Sequence, residues 1–105
     1  MGSRNIHVPI LVLFRMENGC FIYIAKNLET DKYIIAYTNY IFDDMLRLRD
    51  MHKHTVLQYY EFHDDVNAAS AKYKRLRNWH PSWIDRIVES FNPSRRDLML
   101  EVKSY

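Results

Sequence analysis

The chain has 105 residues, enough for one domain, and its 2 glycines and 3 prolines exclude long flexible linkers. Hydrophobic residues make up 48% and charged residues 27%, a balance typical of globular proteins rather than disordered ones. The formal net charge of +2 argues against a protein that holds nucleic acid through its overall charge, although a local basic surface is compatible with it.

The single cysteine and the short apolar runs exclude two further classes. Cys20 has no second cysteine to pair with, which rules out an intramolecular disulfide and a zinc site built on paired thiolates. The longest apolar run, residues 8–14, is far shorter than the roughly 20 residues of a membrane-spanning helix. Because no signal peptide is recognisable, we expect an intracellular protein that does not use a membrane.

The N-terminal half has the composition of β-strands. Branched and aromatic residues predict a strand over residues 6–14, and Pro9 favours an edge position for it. Asn18-Gly19 then predicts a tight hairpin turn. Residues 21–25 and 33–37 read as two more strands, so that this half is predicted to form a small antiparallel sheet.

The C-terminal half alternates helices with a strand. Apolar residues at helical spacing predict helices over residues 41–48, 66–76 and 81–91, with Asp64 or Asp65 capping the second, and Pro81 beginning and Pro93 ending the third. Residues 56–62 read as a strand between the first two helices, and residues 98–102 as a short final strand. The predicted fold is α+β, a small antiparallel sheet flanked by about three helices.

Short segments along most of the chain have sequences and spacings similar to known motifs. They are Phe-Ile-Tyr at 21–23, Ile-Ile-Ala at 34–36, Tyr-Thr-Asn at 37–39, Leu-Gln-Tyr-Tyr-Glu-Phe at 57–62, Leu-Arg-Asn-Trp at 76–79, Glu-Ser-Phe-Asn-Pro at 89–93 and Arg-Asp-Leu at 96–98. In this order they resemble the GIY-YIG nuclease superfamily, most closely its small single-domain members. The resemblance implies one domain, with a family-like core over residues 20–98 and an N-terminal addition over residues 1–19.

The resemblance also implies a set of catalytic positions. Such nucleases use two tyrosines, an arginine and a histidine around the scissile phosphate, and one glutamate that holds a divalent metal ion. Tyr23 matches the first tyrosine, and Asn92 matches a late asparagine of the family. The other four positions depart from the pattern. The second tyrosine, the arginine, the histidine and the glutamate are replaced, in that order, by Ile34, Asp44, Leu48 and Tyr73.

These replacements predict a nuclease-like fold without nuclease activity. The loss of one electrostatic stabiliser typically costs about 10²–10³-fold in rate. Asp44 would in addition repel the phosphate, and the phenol of Tyr73 is a poor ligand for Mg²⁺. We therefore expect no cofactor, with Mg²⁺ or Mn²⁺ relevant only if activity were retained. Tyr23 is then interpreted as a strand tyrosine packed against helices, and Asn92 as a residue that turns the chain before Pro93.

Seven basic residues in the C-terminal half have two readings. With Tyr59, Tyr60, Trp79 and Trp83 interleaved among them, they fit either a phosphate-binding face or an ordinary solvated helix face. The seven are Lys72, Lys74, Arg75, Arg77, Arg86, Arg95 and Arg96.

Three functions follow from these observations. The first is a non-catalytic structural or protein-interaction module that binds a protein partner or a second copy, with the N-terminal strand as a further pairing edge. The second is a nucleic-acid-binding protein descended from a nuclease. The third is an active, metal-dependent DNA endonuclease with a rearranged site. A cytoplasmic or nuclear location fits each of them, and the resemblance is also compatible with a structural role in a virion.

Overall fold

The computed structural model describes residues 19–103, and within them the chain forms three strands, three α-helices and one 3-10 helix. The predicted strand over residues 6–14 and Asn18 of the predicted turn lie outside the described residues. The elements, in chain order, are β1 (Cys20–Asn27), β2 (Lys32–Thr38), α1 (Ile41–Met51), β3 (Thr55–His63), α2 (Val66–Leu76), α3 (Pro81–Phe91) and the 3-10 helix (Met99–Val102).

The sheet is antiparallel, with the strand order β2-β1-β3. This arrangement confirms the predicted α+β fold. β1 is the central strand and helices pack on both of its faces, so residues 20–25 are all buried. That position explains why its sequence is a continuous apolar run rather than an alternating one.

Helices cover both faces of this sheet. On the α1 face, Phe21, Tyr23 and Ala25 of β1 pack with buried residues of α1 and of the 3-10 helix. On the α2–α3 face, Ile22 and Ile24 pack with buried residues of α2 and α3. Successive residues of a strand point to opposite faces, so one strand supplies the centre of both halves of the core.

The helix ends follow the chemistry that the sequence predicted. The carboxylate of Asp65 accepts a hydrogen bond of 3.0 Å from the backbone N–H of Asn67 and so caps α2. Pro81 lies in the first turn of α3, where its missing N–H costs nothing, and α3 ends at Phe91. Each α-helix has 11 residues, and no helix within residues 19–103 has the length and apolar character needed to cross a bilayer.

The predicted strand over residues 98–102 was wrong, because this segment contains the 3-10 helix. An alternating strand would place Leu98, Leu100 and Val102 on one face. Instead Leu98, Met99 and Val102 are buried while Leu100 is 78% exposed. The side chain of Asp97 starts the turn, since it accepts hydrogen bonds of 3.1 Å from the N–H groups of both Leu57 and Met99. The apolar composition had suggested a strand, but the burial follows a helical spacing.

β3 contains an irregularity that sets which of its side chains face which helices. Tyr60 lies opposite Tyr23 and Tyr59 opposite Ile24, but Ala25 lies opposite Leu57. Gln58 is therefore an extra residue, a β-bulge that lets Leu57 and Tyr60 share the α1 face although they are three positions apart. Strict alternation would have placed them on opposite faces.

Candidate functional site

Tyr23, which matches the first tyrosine of the nuclease motif, lies in the core. It is 4% exposed and packs on the α1 face beside Ile41 and Met45. Burial, and then the nearby carboxylate of Asp44, raise the pKa of its phenol to about 12, and Arg47 only partly opposes the shift. The environment thus holds the phenol in its protonated form and shields it from solvent.

Three of the replaced positions surround the same part of the α1 face. Ile34 of β2 and Leu48 of α1 are partly buried and pack against the core cluster that contains Tyr23. Asp44, in the first turn of α1, forms an ion pair with Arg47 one turn later. Apolar packing and a local ion pair therefore occupy the places where the resemblance would put a tyrosine, a histidine and an arginine.

Tyr73 lies on the other side of the sheet. Its ring is half-buried on α2 and contacts the ring of Tyr37, with 5.1 Å between the centroids. Tyr37 pairs with Ile22 across the sheet, which places both tyrosines on the α2–α3 face. The structure therefore does not bring Tyr73 to the surroundings of Tyr23.

Asn92 ends α3 and organises the turn that follows. It is buried, and its side-chain amide donates hydrogen bonds to the backbone carbonyls of Gln58, at 3.3 Å, and Arg96, at 2.8 Å. The side chain of Asn92 thus holds the turn to β3. This agrees with its interpretation as a residue that turns the chain before Pro93.

Three of the seven predicted basic residues are held by carboxylates. Lys72 lies 2.8 Å from Glu61, Arg96 pairs with Glu101, and Arg95 lies 3.4 Å from both Asp85 and Glu89. A cation that is already paired attracts a phosphate less strongly, because the carboxylate cancels most of its field. These three residues are therefore weak candidates for a phosphate-binding surface.

The other four basic residues are exposed, and none forms an ion pair with another residue in the range 19–103. Lys74, Arg75 and Arg77 lie together in the last turn and at the C-cap of α2, whereas Arg86 is on α3. The guanidinium of Arg77 also lies 5.5 Å from the centre of the Tyr73 ring. Of the seven predicted basic residues, those without an ion pair to another described residue therefore lie mainly at the C-terminal end of α2.

A groove of about 440 Å³ lies beside this end of α2, between β2 and the corner where α2 passes into α3. We call it the β2 groove and define it by Lys26, Lys32, Tyr33, Arg77, Trp79 and Asp85. The ammonium of Lys26 lies 5.0 Å from the centre of the Tyr33 ring. Cations and aromatic rings thus share one concave surface.

A polar network forms the inner wall of the β2 groove. The hydroxyl of Tyr33 donates to Asp85 and accepts a hydrogen bond of 2.7 Å from Arg95. Burial and the bond to Asp85 raise the pKa of Tyr33, and the bond from Tyr33, together with Arg95, lowers the pKa of Asp85. Arg95 also donates to Gln58 at 3.1 Å, and its backbone has a φ of 58°. The network ties β2, β3 and α3 together in a fixed geometry.

Two tryptophans stand at the outer rim of the same corner. Trp79 is 37% exposed and Trp83 is 55% exposed, and their rings meet edge to face with centroids 5.6 Å apart. The backbone holds them in place, because Trp79 donates to the carbonyl of Leu76 at 3.0 Å and His80 caps the start of α3. The corner thus presents a rigid aromatic surface to solvent.

A second polar cluster lies on β3, and the sequence analysis missed it. The carboxylate of Glu61 accepts hydrogen bonds from Tyr59 and Lys72 and contacts His63. Burial alone would raise the pKa of Glu61, but the bonds from Lys72, Tyr59 and His63 outweigh burial and lower it. The alternate spacing of residues 59, 61 and 63 on one strand was the signal for this cluster.

A second cavity of about 430 Å³ adjoins the cluster and is lined by Tyr59, Arg86, Ile87, Ser90 and Phe91. Within residues 19–103, no three His, Cys, Asp or Glu side chains are close enough to hold a metal ion together. The described surface therefore offers cations, aromatic rings and hydrogen-bonded carboxylates.

Comparison of the chain with protein-family models, with curated proteins and with solved structures gives no match.

Proposed function

We propose that this chain is a catalytically degenerate GIY-YIG-like domain that acts inside cells as a protein-interaction module. The proposal rests on two exposed tryptophans, Trp79, which lines the β2 groove, and Trp83, which packs against it. Large aromatic side chains in water are costly to leave uncovered, and tryptophan is among the residues most enriched at the energetic centres of protein interfaces.

The rigidity of the corner strengthens this argument. Trp79 and Trp83 pack on each other, and the caps of the two adjoining helices fix the backbone around them. A preorganised surface loses little conformational entropy when a partner binds, so more of the contact energy remains as affinity. The corner is therefore better suited to binding than an aromatic pair on a loose loop.

The surroundings of Tyr23 support the absence of catalysis. A phosphate that approached this phenol would have to displace the packing of Ile34 and Leu48, and it would meet the carboxylate of Asp44. Transition-state stabilisation requires preorganised cations or donors aimed at the developing charge. The α1 face offers Tyr23 an apolar cover and an anion instead.

The test of the interaction module compares aromatic variants of the purified full chain. A protein partner captured from cells that encode the chain, or self-association measured by light scattering, should weaken at least about tenfold in Trp79→Ala/Trp83→Ala. The control variant Tyr40→Ala/Leu100→Ala removes two large, more exposed apolar side chains elsewhere and should bind as the parent does. A strict monomer that captures nothing, or equal binding by both variants, would show that the corner is not an interaction surface.

A cleavage assay tests the other half of the proposal. Incubation with duplex and branched DNA in Mg²⁺ or Mn²⁺ should give no metal-dependent products. Cleavage by the parent chain that disappears in Tyr23→Phe would contradict the proposal and would assign Tyr23 a catalytic role.

One observation favours nucleic-acid binding as a second candidate function. Lys74, Arg75 and Arg77 present three exposed cations on one turn of helix. If they contact phosphates, duplex DNA should bind at about 50 mM salt, and the affinity should fall steeply as salt is added. Arg75→Glu/Arg77→Glu should abolish this binding, whereas Lys53→Glu/Lys103→Glu, with the same change in net charge, should retain most of it. No binding at low salt would exclude this function.

A further inference from the structure

We propose that the outer edge of β2 and the β2 groove bind an extended acidic segment of a partner protein, which pairs with β2 as an additional strand. This inference rests on the proposed function, because it names the chemistry of the partner that the interaction module would take.

Within the described part of the chain, no strand pairs with the outer edge of β2. On its inner side, β2 is hydrogen-bonded to β1. Its residues are half-buried or exposed along the whole strand. An unpaired edge presents backbone N–H and C=O groups that can accept a further strand.

β3, the opposite edge of the sheet, is partly occupied. The N–H of Leu98 donates to the carbonyl of Leu57 at 2.8 Å, and the carboxylate of Asp97 accepts from the N–H of Leu57. The segment that follows α3 thus occupies the edge of β3 at Leu57. Of the two edges, β2 is the one at which no backbone bond of this kind to another described segment is found.

The charge of the β2 groove selects an acidic partner. Asp85 is held by Tyr33 and Arg95, and the 85% exposed carboxylate of Asp31 lies 3.0 Å from Lys26. Lys32 and Arg77, by contrast, form no ion pair with another residue in the range 19–103. A carboxylate that approaches the groove would therefore meet positive charge that is not already neutralised.

The apolar part of the β2 groove adds a second requirement. Ile35 of β2 and Trp79 of the corner both line it. In an added strand, every second side chain faces the groove. The matching segment therefore alternates, with carboxylates that face Lys32 and Arg77 and an apolar side chain between them that faces Trp79.

A peptide fits this site better than a nucleic acid. The groove carries two carboxylates as well as its three cations, so its excess of positive charge is small. A run of phosphates gains most from a surface without anions. The unpaired edge of β2 instead matches the alternating donors and acceptors of a polypeptide backbone.

The first experiment measures binding of a designed probe to the full, isotope-labelled chain by NMR. The probe is the capped peptide Thr-Glu-Thr-Leu-Thr-Glu-Thr. It should shift β2 resonances and slow amide exchange on the outer edge of β2. Lys32→Glu/Arg77→Glu should weaken binding by about tenfold or more, whereas the control Lys53→Glu/Lys103→Glu should stay within about twofold. Equal loss in both variants would overturn the assignment to this groove.

The second experiment separates strand pairing from charge attraction. Two versions of the peptide carry N-methyl groups on alternate residues, one version for each register. One version should lose binding because its pairing N–H groups are blocked, and the other should bind as the parent peptide does. Equal binding by both versions would overturn strand addition.

Two further outcomes complete the test. Single-stranded DNA that binds more tightly than the peptide and displaces it would overturn the acidic-peptide assignment. If the peptide fails while the capture that depends on Trp79 and Trp83 persists, this inference is wrong and the proposed function stands. If that capture fails as well, both are wrong.

Discussion

The two faces of the sheet share the strand β1 but differ in what they show to solvent. On the α1 face, Tyr23 is sealed under α1, and charged groups at the rim pair with one another, as Arg49 does with Asp97 and Arg96 with Glu101. On the α2–α3 face, the helices leave the β2 groove open and expose Trp79 and Trp83.

A residue that matches a motif is therefore not necessarily one that a ligand can reach. Most of the positions that resemble catalytic residues lie on the α1 face, where the side chains serve packing. The β2 groove and the exposed rings of Trp79 and Trp83 lie on the α2–α3 face. A functional assignment based on the motif positions alone would therefore address the less accessible face of the molecule.

The largest expected effect concerns packing on the α1 face. Met45 is 0% exposed, so Met45→Ala leaves a cavity in the core and should lower the free energy of unfolding by about 3 kcal/mol. Its neighbour Leu46 is 49% exposed, and Leu46→Ala should cost about 1 kcal/mol or less. Chemical denaturation measures both. Similar losses would mean that α1 does not seal this face.

The next effect concerns the link between α3 and β3. Asn92→Ala leaves the carbonyls of Gln58 and Arg96 without their side-chain donor and should cost about 2 kcal/mol. Asn78→Ala removes an exposed bond of 3.0 Å to the carbonyl of Lys74 and should cost about 1 kcal/mol or less. Thermal and chemical unfolding of the two variants give the comparison. If Asn92→Ala lowered the free energy of unfolding no more than Asn78→Ala, the role of Asn92 in the turn would be contradicted.

A smaller effect, dependent on pH, concerns the Glu61 cluster. The folded-state pKa of Glu61 lies below the ordinary value of 4.5, so its carboxylate stabilises the fold above that pH. This contribution is lost as the pH falls through the folded-state pKa. Glu61→Gln should therefore be less stable than the parent at neutral pH and should lose less stability on acidification. Glu29→Gln, at an exposed carboxylate, should follow the parent curve, and a parent-like curve for Glu61→Gln would contradict the assignment.

The smallest expected effect concerns the aromatic corner. Trp83→Ala removes a side chain that is 55% exposed, so the free energy of unfolding should change by about 1 kcal/mol or less. Far-ultraviolet circular dichroism with denaturation would check this. A large loss of stability would mean that Trp83 supports the core. A binding defect of the Trp79→Ala/Trp83→Ala variant could then result from partial unfolding rather than from a lost contact.

Local patterns predicted most of the fold because each relevant signal lay within a few residues. The continuous apolar run of β1, the cap at Asp65 and the proline that begins α3 are of this kind. Local patterns predicted less of the candidate site. The network of Tyr33, Asp85 and Arg95 joins residues up to 62 positions apart, so no local spacing in the sequence predicts it.

The one strand that was predicted wrongly, over residues 98–102, has a physical explanation as well. Residues 98–102 are as apolar as a strand, but the turn begun by Asp97 bends them into a 3-10 helix. The strand predicted over residues 56–62 is present as β3, but an extra residue shifts its alternation, so a simple period of two does not give the observed face of Leu57. Composition indicated buried segments in both places, but it did not determine their backbone path.

The extra residue in β3 has a consequence for how this chain can change length. Removal of Gln58 alone would restore regular alternation with Leu57 still opposite Ala25, but it would take away the carbonyl to which the side chain of Asn92 donates. It would also take away the side chain that meets Arg95. The turn at residues 28–31 is exposed and contributes no side chain to either core cluster. Descendants of this sequence should therefore vary in length at that turn and keep the residue count of β3 unchanged.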